Sequence, residues 1–212
     1  MKETIIYIHG KGGSAKGAEH YKAIFQNHKV IGFDYHSKTP WEARKEFYTF
    51  FEKQCSCAKA DTESHEQCNK VTLIANSIGA FFAMSAPIER FVSKAYFISP
   101  IVDMEKLIIN MMKWSNVTES ELKKKHEIPT DFGETLSWDY LCYVREHPIL
   151  WNVPTNILYG EHDNLTSCET VSEFARSHGA KLTVMTGGEH WFHTKSQLQF
   201  LDCWLKNEES KT

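Results

Sequence analysis

Ser77 stands in the run Ala75-Asn76-Ser77-Ile78-Gly79, with the aliphatic stretch from Val71 before it and the helix-like Ala80-Phe81-Phe82-Ala83-Met84 after it. A serine on a tight strand-to-helix turn is lifted above the edge of a sheet, and small neighbours, here Ala75 and Gly79, let the turn close. The start of the following helix offers unpaired N–H groups and a positive dipole end, which suit a developing oxyanion. A small-x-Ser-x-Gly match alone is weak, because chance produces it in roughly one chain in five or ten. Its setting between a strand and a helix gives it weight.

A serine hydroxyl is a poor nucleophile at neutral pH without a base. Of the 11 histidines, His190 in Gly187-Gly188-Glu189-His190 follows the last strand, at the carboxyl end where open parallel sheets hold their sites. His193 is the rival, expected inside the final helix as an ordinary half-buried histidine. The base in turn needs an acid that fixes its tautomer and stabilises the imidazolium. Tyr159-Gly160-Glu161-His162-Asp163 puts Asp163 on a loop at the same edge, although an aspartate there also suits a turn or helix start. Asp103, after the fourth strand in Ser99-Pro100-Ile101-Val102-Asp103, is the second candidate.

The first strand runs into His9-Gly10-Lys11-Gly12-Gly13-Ser14. A phosphate loop places its Lys after a Gly-x-x-x-x-Gly frame, and here Lys11 precedes the glycine pair, so nucleotide binding is disfavoured. The loop suits an oxyanion hole instead, with a main-chain N–H near Lys11 joining that of Ile78.

These residues need a scaffold, and the chain supplies an alternating one. Strands are expected at Thr4 to His9, Lys29 to Tyr35, Lys70 to Asn76, Ser93 to Ser99, Pro154 to Gly160 and Lys181 to Thr186. Helical spacing fills Ala15 to His28, Pro40 to Ala60, Ser77 to Ala86, Thr166 to His178 and Trp191 to Lys206. Thr39-Pro40 opens one helix and Gly179 closes another. That alternation predicts an α/β fold, a three-layer sandwich of about six mainly parallel strands. About fifty residues, 101–152, interrupt the rhythm with two or three short helices, around Met104 to Lys113, Thr118 to Lys125 and Leu136 to Arg145.

With 42% hydrophobic and 24% charged residues the chain is expected to form one globular domain, 1–212. A formal charge of −3 gives no cationic face for nucleic acid or anionic membrane, and Lys123-Lys124-Lys125 is read as a solvated helix face. No signal segment or membrane-spanning run is read, so a soluble cytoplasmic protein is expected. Six cysteines lack metal or redox spacing; Cys55-Ser-Cys57 with His65 and Cys68 could in principle ligate a metal, but free thiols in a reducing compartment are the better reading.

In this order the pieces resemble the α/β-hydrolase superfamily, over the chain from Thr4 to Leu205. The family's His-Gly loop is matched by His9-Gly10, and its Gly-x-Ser-x-Gly elbow by Ala75 to Gly79 with Ala in first place. Its Gly-x-x-Asp is matched by Gly160 to Asp163, and its Gly-x-x-His by Gly187 to His190. The resemblance implies a serine hydrolase with Ser77, Asp163 and His190 as catalytic residues, Lys11 and Ile78 at the oxyanion hole, and no metal or cofactor. Its expected substrate is a small carboxylic ester or related acyl compound; amide, thioester and carbon–carbon cleavage use the same triad. A weakly active ligand-binding protein on this scaffold is the alternative. The two leading antiparallel strands of larger members are missing, and segment 101–152 falls where members carry a cap. Met104, Met111, Met112, Trp114, Trp138, Tyr140 and Trp151 there either line an acyl pocket or pack the cap against the core.

Overall fold

The computed structural model describes residues 3–55 and 70–211. Its elements run β1 (Thr4–Ile8), α1 (Ala18–Ile24), β2 (Lys29–Phe33), α2 (Pro40–Cys55), β3 (Val71–Asn76), α3 (Ile78–Ser85) and β4 (Val92–Ile98). Then follow α4 (Met104–Trp114), α5 (Glu119–Lys125), β5 (Glu127–Pro129), β6 (Thr135–Ser137) and α6 (Trp138–Glu146). The chain ends with β7 (Thr155–Gly160), α7 (Cys168–Ser177), β8 (Lys181–Met185) and α8 (Lys195–Glu209). Cys57, His65 and Cys68 lie outside the described residues.

Six strands form one sheet in the order β2-β1-β3-β4-β7-β8, with every pairing parallel. The period of two divides each strand between two cores. Ile6, Ile8, Leu73, Ala75, Phe97 and Ile157 face α2, α3, α7 and the inserted segment. Ile5, Tyr7, Ile74, Tyr96 and Leu158 face α1 and α8. Helices on both faces bury both sets, which is why these strands read as nearly continuous apolar runs. Each wholly buried Ile, Leu or Phe contributes roughly 1.5–3 kcal/mol of burial.

Local chemistry sets the helix ends. Thr39 Oγ1 accepts from the Glu42 N–H while Glu42 accepts from the N–H groups of Lys38 and Thr39, which opens α2 at the expected place. Gly179, at φ +64°, carries the chain out of α7. The last helix starts later than the periodicity suggests. A capping box between Thr194 and Gln197 begins α8 at Lys195, so 191–194 are loop and His193 sits outside the helix.

Segment 101–152 contains the three expected helices and, between α5 and α6, an unexpected antiparallel hairpin of β5 and β6. Met104, Leu107, Met112, Leu136, Leu141 and Trp151 from this segment belong to the same buried cluster as α3. Met104, Met112 and Trp151 are therefore packing residues, the last with its indole N–H on Thr155 Oγ1 at 2.8 Å. Trp114 is exposed and meets Phe132 edge-on. No helix among the described residues is long and apolar enough to cross a membrane.

Candidate active site

The strand order reverses between β1 and β3, and the loops leaving their carboxyl ends meet there. Ser77 holds φ 50° and ψ −122° at the head of α3. An L-residue in that region costs of order 1–3 kcal/mol. The neighbours hold it there: the Ser77 N–H donates to Ile98 O at 3.0 Å, and its carbonyl accepts from Ala80 and Ile101 N–H groups at 3.1 and 3.2 Å. Three backbone bonds at about 1 kcal/mol each are comparable with the strain.

Glycines bring the β1 loop against this turn. A Cβ on Gly79 would lie 2.3 Å from His9 O, and one on Gly10 would lie 3.1 Å from Ser77 Cβ. A tight turn from Gly10 to Gly13, closed by Gly13 N–H to Gly10 O at 3.1 Å, has Lys11 and Gly12 at its centre, with Gly12 at φ +74°. Lys11 is exposed and its ammonium pairs with Glu134, at the end of the hairpin turn. Ile78 is the first residue of α3, so its N–H has no acceptor within the helix.

The β7 and β8 loops are zipped together. Glu161 and His162 N–H groups donate to Met185 O and Gly188 O at 3.1 and 2.7 Å, and Glu161 Oε2 accepts from the Gly187 N–H at 2.8 Å. A Cβ on Gly160 would stand 2.5 Å from Glu189 O, so only glycine permits this approach. The result sets Asp163 beneath His190. Asp163 Oδ2 accepts from His190 Nδ1 at 2.7 Å, while Oδ1 accepts from the N–H groups of Leu165 and Thr166 at 2.9 and 3.1 Å. The Asp163 side chain is wholly buried. With the Nδ1 proton held by the carboxylate, Nε2 presents its lone pair to Ser77 Oγ at 2.8 Å.

The rivals are occupied elsewhere. Asp103 caps α4, its Oδ1 accepting from the Lys106 N–H at 2.8 Å. The His193 ring donates from Nδ1 to Trp191 O at 2.8 Å and stacks on Trp191. Two features escaped the sequence reading. Ser99 also has positive φ, 42°, and is buried beside the elbow, with only the following Pro100 as a signal of special backbone. Tyr35 stacks on the His9 ring at 4.4 Å and donates from its hydroxyl to His9 O at 2.9 Å, buttressing the β1 loop. Burial first, then neighbouring Tyr7 and Glu46, push the Tyr35 phenol above its ordinary pKa, so it remains a donor.

The site can therefore transfer a proton from a serine hydroxyl to an imidazole backed by a buried carboxylate, beside backbone N–H groups able to face an oxyanion. No family model and no curated protein sequence matches the chain. Solved structures do match in shape. Mouse alpha/beta hydrolase domain-containing protein 10 superposes with a TM-score of 0.71 at 17% identity, covering 98% of this chain and 90% of its own. Est1E from Butyrivibrio proteoclasticus gives 0.70 at 16% identity, covering 99% and 88%. An esterase from Pyrococcus furiosus gives 0.57 at 18% identity, covering 99% and 81%. At such identities the shared property is architecture, and by sheet order, crossovers and these superpositions the chain has the α/β-hydrolase fold.

Proposed function

We propose that the protein is a serine hydrolase that cleaves a small carboxylic ester or related acyl substrate through an acyl-serine intermediate. The observation that carries this reading is the unbroken line from Ser77 Oγ through the His190 ring to Asp163, at 2.8 and 2.7 Å. Two of the similar solved structures bear the names of an esterase and a hydrolase-domain protein, which is in keeping with it.

In the first half-reaction Ser77 Oγ attacks the substrate carbonyl as its proton passes to His190 Nε2. Asp163 holds the imidazolium. The carbonyl oxygen becomes an oxyanion facing the N–H groups of Lys11 and Ile78, and collapse expels the alcohol, which takes the proton from His190. In the second half-reaction water attacks the acyl-serine, gives its proton to Nε2, and frees the acid and Ser77. We place this activity in the cytoplasm, in keeping with the free thiols of Cys142, Cys168 and Cys203.

The test is turnover of 4-nitrophenyl acetate and butyrate, together with labelling by a fluorophosphonate probe. The wild type is expected to hydrolyse both esters and to be labelled at Ser77, and Ser77→Ala to lose both properties. Equal ester turnover by the two proteins, or a wild type left unlabelled as a pure binding protein would be, overturns the reading.

A further inference from the structure

The backbone groups of β4 alternate between its two neighbours as far as the end of the strand. The Ala95 and Ser99 N–H groups turn toward β7, donating to Pro154 O and Leu158 O at 2.9 and 2.8 Å. Ile98 O turns the other way, toward β3, and accepts from the Ser77 N–H at 3.0 Å. Carried on in extended form, the next group to face β3 would be the N–H of residue 100, and Pro100 has none. Ile101 would face β7 again. Instead the Ile101 N–H reaches back toward β3 and donates to Ser77 O at 3.2 Å.

Ser99 is where the alternation breaks. Its φ is 42°, whereas a residue before proline ordinarily keeps extended backbone. The side chain gives no local reason for the turn: it is buried, and Ser99 Oγ has no hydrogen-bond partner among the described residues. A left-handed backbone and an unmatched buried hydroxyl are both costly, and such outliers collect where geometry is put to use. Here the turn yields a bracket, with Ile98 O on the N–H of Ser77 and the Ile101 N–H on its carbonyl.

The Ser77 carbonyl and the Ile78 N–H belong to one planar peptide and point in opposite directions, so fixing one aims the other. Ile78 opens α3, and its N–H has no acceptor within that helix. We infer that Ser99 is a positioning residue for the oxyanion hole: its left-handed turn sets the Ile101 N–H on Ser77 O, and that bond aims the Ile78 N–H at the oxyanion. The inference rests on the serine-hydrolase reading above and adds to it a residue that acts through the backbone.

The test measures kcat and KM for 4-nitrophenyl butyrate in three variants at position 99, each checked for folding by circular dichroism. Ser99→Thr keeps the hydroxyl but adds a β-branch, which positive φ tolerates poorly. It is expected to lower kcat by about tenfold or more with KM within about twofold, because losing a whole oxyanion donor costs about 10²–10³ and both half-reactions use it. Ser99→Gly, which adopts positive φ freely, and Ser99→Ala, which removes only the unmatched hydroxyl, should keep kcat within about threefold. Should Ser99→Thr fail to fold, Ile101→Pro deletes the donated N–H itself and is read in the same way. A folded Ser99→Thr with kcat within about twofold of wild type overturns the positioning role, as does a loss in Ser99→Ala equal to that in Ser99→Thr, or a loss carried by KM alone. Those three results leave the hydrolase reading standing. A wild type that neither turns over the ester nor reacts with a fluorophosphonate overturns both.

Discussion

Both ends of the six-stranded sheet carry a histidine beside carboxylates, and the two are built differently. At the carboxyl edge the His190 ring divides its nitrogens, Nδ1 to Asp163 and Nε2 to Ser77. At the amino edge a single nitrogen of His28, Nε2, faces both Glu3 and Glu209, at 3.5 and 3.4 Å. Glu209 also receives Lys94 Nζ at 2.7 Å and the Tyr96 hydroxyl at 2.9 Å. One arrangement is a directed relay ending on a hydroxyl; the other is a cluster of compensated charges that clasps α8 to the starts of β1, β2 and β4. The backbone differs in the same sense. Among the described residues Ser77 and Ser99, both at the carboxyl edge, have positive φ, and the four clasp residues Glu3, His28, Lys94 and Glu209 do not. A histidine beside an acid is thus no signature by itself; the second nitrogen's partner and the strained turn that presents it make the difference.

The comparison breaks most readily at Asp163. Replacing it with Asn frees the Nδ1 tautomer, and kcat/KM for a 4-nitrophenyl ester is expected to fall about 10³–10⁴-fold, with a circular-dichroism melt showing the protein folded. A drop below tenfold would mean the carboxylate is no more than part of a loop. Next comes Gly79→Ala, whose methyl would meet His9 O at 2.3 Å. Overpacking of this kind costs roughly 1–3 kcal/mol, so denaturant titration should show a loss of that size, and an unchanged midpoint would deny the close approach. Ser77→Gly sharpens the contrast from the other side. Relief of the positive φ is expected to stabilise the fold by about 1 kcal/mol, raising Tm by roughly 2–4 °C while turnover disappears.

The smallest effect belongs to the clasp. Burial works against the Glu209 carboxylate, but hydrogen bonds from Lys94 and Tyr96, with the charges of Lys94 and His28, outweigh it and hold its pKa below the usual glutamate range. A depressed folded pKa gives stability that is complete above the unfolded value and is lost as pH falls through the folded one. Glu209→Gln should therefore cost up to about 1 kcal/mol near pH 7. Its gap from wild type should close on acidification, as the pH falls below the ordinary glutamate range and through the lowered folded value. Ester turnover at pH 7 should be untouched; a pH-independent gap would remove the carboxylate's charge from the account.

Short-range patterns in the chain were enough for the scaffold and for the residues that point toward it. The period of two in Ile5 to Ile8 and Val71 to Ala75, the caps at Thr39 and Gly179, and the alternation of strand with helix each depend on neighbours within a few residues, so the parallel sheet was legible. The loops bearing Ser77, Asp163 and His190 were legible for the same reason, since each follows a strand directly. Three-residue strands such as β5 and β6 are too short to show a period, and the start of α8 was set by the Thr194–Gln197 box over a weaker apolar pattern.

What only the tertiary structure decided is which groups meet. Asp103 and Asp163 both leave the same sheet edge, and nothing local says that one caps a helix while the other lies under an imidazole. That depends on Gly160 and Glu189 approaching closely enough for two loops to share hydrogen bonds. The stacking of His9 on Tyr35 was equally invisible, because it joins the loop after the first strand to the loop after the second. Periodicity dictates the face a residue presents; contact between distant faces is a property of packing, which the chain acquires only when all its elements are in place.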